Sequence, residues 1–115
     1  MQQSFEELQI KPALQEFYSK QTLLMITGID RTAETYYDTL SQVFGYVDVV
    51  PHDKAKTQRL NDYDMIIIGT GHTSHGDREW LQKRHNNVIV YPHGPIAIFK
   101  FLYNQLPKGI KSKKR

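Results

Sequence analysis

Four of the five histidines in this chain, His52, His72, His75 and His93, stand in polar stretches that follow short apolar runs. His72 and His75 are three residues apart and His93 lies on a later loop. Three imidazoles so placed could converge on zinc or another divalent ion and leave one position open for water. The same residues also admit plainer roles, as loop histidines satisfied by backbone or solvent, or as a single general base. The chain has no cysteine, which removes disulfides, thiolate ligands and thiol nucleophiles, and no serine stands in a nucleophile elbow.

The densest of these stretches is GTGHTSHG, residues 69–76, directly after the apolar run MIII. Gly69, Gly71 and Gly76 suit positive φ or a close backbone approach, and three glycines here exceed what a simple strand-to-helix turn requires. The excess points to a loop that meets something. A P-loop is excluded, because Asp77 and Arg78 stand where Lys and Ser/Thr must hold phosphate and magnesium. The dinucleotide pattern G-x-G-x-x-G fails at Ser74. A phosphoacceptor domain would need a carboxylate where Gly69 and Thr70 stand.

The elements that must position these residues alternate in type. TLLMITG reads as a strand closed by Gly28, and DRTAETYYDTLSQVFG as a helix with Ala33, Tyr36, Tyr37, Leu40, Val43 and Phe44 on one face and a stop at Gly45. YVDVVPH is a second strand ending at Pro51, followed by a polar connection with a short helix. DMIIIG is the third strand, and its unbroken apolar run requires cover on both faces, as in a parallel sheet. Asp77 is expected to open the next helix, DREWLQKRH. NNVIVYPHG is the fourth strand, and Pro95 suits the first turn of PIAIFKFLYNQL. Ahead of all this, SFEELQIKPALQEFYSK reads as a helix or two turns interrupted near Pro12. The expected organisation is a helical appendage over residues 1–20, one α/β domain over 21–107 and a basic tail over 108–115.

Alternating strands and helices imply right-handed crossovers and a three-layer α/β sandwich, its four mainly parallel strands in the order 2-1-3-4. Ligands of such sheets sit beyond the carboxyl ends of the strands. The residues falling there are Thr27 to Thr32, His52 and Asp53, Gly69 to Asp77, and Pro92, His93 and Gly94. Asp30 and Asp77 each stand where a carboxylate caps a helix, and Ser74 with Asp77 has capping-box spacing.

TGIDRTAE followed by an amphipathic helix, and later LNDYDMIIIGTGHTSHGDREW, resembles the flavodoxin-like superfamily over about residues 22–101. The shared features are a T-G-x-T-like first loop and a Y-D-x-x-I-x-G-T run leading into a loop that ends in G-D. The resemblance implies a flavodoxin-like fold with FMN as cofactor and a role in electron transfer. It places Thr27, Gly28 and Thr32 in the phosphate loop. Thr70, Gly71, His72, Thr73, His75 and Gly76 would then lie against the flavin ring, and His93 and Gly94 would border it. This chain departs from the pattern in the longer first loop, with Asp30 near the phosphate position, and in having no aromatic residue in the second.

Three classes of function stay open: a flavodoxin-like protein binding FMN or a related phosphate-bearing nucleotide, a histidine-based metal or hydrolytic site on the same edge, and an interaction module without cofactor. PIAIFKFLYNQL is apolar on more than one face, so a covering partner is expected, either the N-terminal segment or a second subunit joined through this helix or the edge of strand four. The tail KGIKSKKR carries five basic residues and no acid, so a chain of formal net charge +3 has a mildly acidic body. Such a tail suits an anionic surface. The longest apolar run is far below the roughly 18 residues of a membrane span, and the N-terminus has no signal-peptide pattern, so a cytoplasmic protein is expected.

Overall fold

The computed structural model describes residues 5–28, 33–69, 73–91 and 94–106. Strands β1 (Thr22–Thr27), β2 (Tyr46–Pro51), β3 (Met65–Ile68) and β4 (Val88–Val90) form one sheet in the order 2-1-3-4. Every pairing is parallel, with Met25 opposite Val49 and Ile67, and Ile67 opposite Ile89. The helices are α1 (Phe5–Tyr18), α2 (Ala33–Leu40), α3 (His75–Arg84) and α4 (Pro95–Gln105), with 3-10 helices at His52–Thr57 and Leu60–Asp62 between β2 and β3.

The pleat of the two central strands explains the layers. Leu23, Met25, Met65 and Ile67 point to one face and pack with Ile10, Leu14, Leu40, Ile98 and Leu102 of α1, α2 and α4. Leu24, Ile26, Ile66 and Ile68 point to the other and meet Leu81 of α3 with Ala55 and Leu60 of the 3-10 helices. All four residues of β3 are buried, which is why its apolar residues run on without alternating. The crossover after β1 covers one face and those after β2 and β3 the other, so the winding reverses between β1 and β3.

Helix α1 is a structural layer and not an appendage. Ile10, Ala13, Leu14 and Tyr18 are buried in the core, and the helix runs unbroken through Pro12, which faces solvent. It thereby supplies much of the cover that the apolar faces of α4 demand. Below the sheet, Asp64 clips β1 to β3: its carboxylate accepts from the Thr22 backbone N–H at 2.9 Å, and its own N–H donates to the Thr22 carbonyl at 2.9 Å. Among the described residues no helix is long and apolar enough to cross a membrane.

Candidate functional site

The carboxyl ends of β1 and β3 lie side by side at the point where the winding reverses, and the Gly69 N–H donates to the Ile26 carbonyl at 2.8 Å. A side chain at Gly69 would meet the Met25 methyl at 2.1 Å and come within 3.7 Å of the Tyr36 hydroxyl. Gly69 is thus the place where two side chains close over the strand ends. Burial pushes the Tyr36 phenol up from its ordinary pKa.

Beyond Gly69 the chain reaches Thr73, which is 2% exposed, and its Oγ1 has no hydrogen-bond partner among the described residues. Ser74 follows in extended conformation and caps α3, its Oγ accepting from the Asp77 N–H at 3.1 Å. The helix therefore starts at His75, not at Asp77 as the sequence suggested, because the hydroxyl of Ser74, three positions before Asp77, already satisfies the free amide. Asp77 is left with its carboxylate available, and Oδ1 lies 2.9 Å from Nζ of Lys56. The Lys56 hydrogen bond, together with its charge, the Ser74 hydrogen bond and the charge of His52, holds the Asp77 carboxyl below the usual range despite some desolvation.

The predicted residues do not all face one cavity. Thr27 is buried at the end of β1 and its hydroxyl donates sideways to the Val50 carbonyl at 3.5 Å. His75 projects into solvent from the first turn of α3, its Nε2 3.1 Å from the Glu79 carboxylate. Gly76 is helical and Gly94 caps α4. Neither has positive φ, and a Cβ at either would touch nothing, so the close approach expected at Gly76 is absent. Gly28 follows β1 half-buried. Asp30, Thr32, Thr70, Gly71, His72, Pro92 and His93 lie outside the described residues. Among the described residues no group of three histidines or carboxylates could hold a metal.

His85, the fifth histidine, has a structural place. Its Nδ1 accepts from the Asn87 N–H at 3.0 Å, so Nε2 carries the proton donated to the Tyr63 carbonyl at 2.7 Å. The sequence reading also missed the layer over α3. Arg84 lies 4.2 Å from the Trp80 ring centroid on α3 and Lys56 lies 5.6 Å from it. Only Trp80 and Arg84, four apart on one helix, could have been paired from spacing.

These features define a three-layer α/β protein with a flavodoxin-like strand order and a polar edge at its switch point. No family model, curated protein or solved structure matches the chain.

Proposed function

We propose that this chain binds a phosphate-bearing nucleotide, FMN, at the carboxyl edge between the segments that follow β1 and β3, and that it serves in electron transfer in the cytoplasm. The observation that carries the reading is Thr73: a buried hydroxyl without a partner among the described residues, on the loop that follows β3 at the switch point where sheets of this kind bind ligands. In this reading Gly28 and Thr32 border the phosphate, and Gly69 to Ser74 border the ring. His75 and Gly76 contribute only as the first turn of α3, and Thr27, whose hydroxyl is engaged, only through its backbone. Bound flavin would supply one- and two-electron transfer, and the protein's part is to hold it and exclude water.

The test is titration of purified protein with FMN, followed by absorbance and flavin fluorescence. Saturable quenching in the wild type, lost in Gly28→Val with the circular dichroism unchanged, supports the reading. An unchanged flavin spectrum rejects it.

A second reading, an interaction module that self-associates through α4 or the edge of β4, is favoured by the half-buried apolar residues Val88, Ile89 and Val90 on the outermost strand.

A further inference from the structure

The pairing of β3 with β4 fixes which backbone groups of β4 are committed. Ile66 donates to the Asn87 carbonyl at 3.0 Å and Tyr91 donates to the Ile68 carbonyl at 2.9 Å. In a parallel ladder, alternate residues bond to opposite sides. Asn87, Ile89 and Tyr91 therefore face β3, and the N–H and C=O groups of Val88 and Val90 point outward. Among the described residues nothing pairs with that side. Beside it, on the α1 and α4 face, a cavity of about 340 Å3 is lined by Phe17, Tyr18, Met65, Ile89, Leu102 and Gln105 among others.

The two edges of the sheet are not alike. On β2 the Asp48 carboxylate sits mid-strand, accepting from Tyr46 and Tyr63, and Pro51 ends the strand without an N–H. A mid-strand charge and a terminal proline discourage addition of a further strand. No charge or proline lies within Val88–Val90.

We infer that β4 pairs antiparallel with β4 of a second copy of this chain, about a two-fold axis at Ile89. In that register Val88 faces the partner's Val90 and the outward groups exchange both bonds, giving four hydrogen bonds across the axis. Ile89 faces the partner's Ile89 as the close, non-bonded pair. The partner's Tyr91 falls opposite Asn87, beside the cavity. A second copy is the fitting occupant because every facing position is apolar or uncharged when the strand meets itself, and because β2 is guarded, so pairing closes at two subunits and cannot propagate. The inference rests on the self-association reading above and specifies its edge and register.

The experiment is amide hydrogen exchange on the whole chain at micromolar and millimolar concentration, with sedimentation velocity on the same samples. Exchange at Val88 and Val90 should slow about tenfold as the dimer forms, while Ile89 and Tyr91, bonded to β3, stay protected throughout. Val90→Pro removes the outward N–H and also changes a side chain packed against the cluster on the α3 face, so it is compared with Val90→Ala, which keeps the N–H. Self-association should be at least about tenfold weaker in the proline variant than in the alanine variant, and equal association of the two overturns the register. A wild type that stays monomeric overturns both self-association and register. A dimer in which Val88 and Val90 exchange as in the monomer overturns the register alone. Protection of both amides while the chain sediments as a monomer, or only on adding a foreign extended peptide, overturns the second copy as occupant.

Discussion

The Asp77 carboxylate and the Lys56 ammonium lie 2.9 Å apart, tying the first turn of α3 to the 3-10 helix that follows β2. The pair joins two elements that flank the carboxyl edge on the same face of the sheet. Both side chains are more than a third exposed, so the contact orients these elements more than it stabilises them.

The titration of Asp77 should report this pair. Its folded pKa is lowered from 3.8, so the stability it contributes is present above that unfolded value and is lost as pH falls through the lower folded value. In Lys56→Met the carboxyl should titrate higher, toward the ordinary value, as followed by carboxyl carbon NMR. An unmoved titration would show that the Ser74 hydrogen bond and the helix end hold the carboxylate without Lys56.

Two glycines should respond in opposite directions. A Cβ at Gly45 would stand 2.4 Å from the Ser19 carbonyl oxygen, a backbone atom at the end of α1, so Gly45→Ala should destabilise by about 1–3 kcal/mol. Gly76 is helical with open space around it, so Gly76→Ala should stabilise by about 0.5–1 kcal/mol. Urea denaturation of both variants measures the pair.

Leu14 of α1 is fully buried in the cluster shared with α2 and α4. Leu14→Ala should cost about 2–5 kcal/mol. A loss below 1 kcal/mol in equilibrium unfolding would return α1 to the status of an appendage.

Thr73 separates stability from binding. Replacing a buried, unpartnered hydroxyl by a methyl removes a desolvated polar group, so Thr73→Val should stabilise the free protein by about 1 kcal/mol. The same variant should take up FMN more weakly in the fluorescence titration. Destabilisation instead would show that the hydroxyl is satisfied within the protein.

Local pattern settled the elements of this protein. The apolar run from Met65 to Ile68 announced a strand covered on both faces, Pro95 marked the start of α4, and the alternation of strands and helices implied a parallel sheet in the order found. The helix over Ala33–Leu40 and the strand ending at Pro51 were legible for the same reason, since hydrophobic period and chain-breaking residues act over a few positions. That helix nevertheless stops at Leu40, and Val43 and Phe44, expected on its face, reach the core from the turn before Gly45. What the sequence left undecided depends either on a choice between neighbouring caps or on residues far apart in it. The start of α3 turned on which of Ser74 and Asp77 capped it, a choice made by one hydrogen bond. Whether α1 belongs to the core turned on α4, more than seventy residues later. The ion pair of Lys56 and Asp77, the contact of Lys56 with the Trp80 ring and the outward backbone of Val88 and Val90 have no local signature, because each exists only once strands and helices from distant segments are brought together.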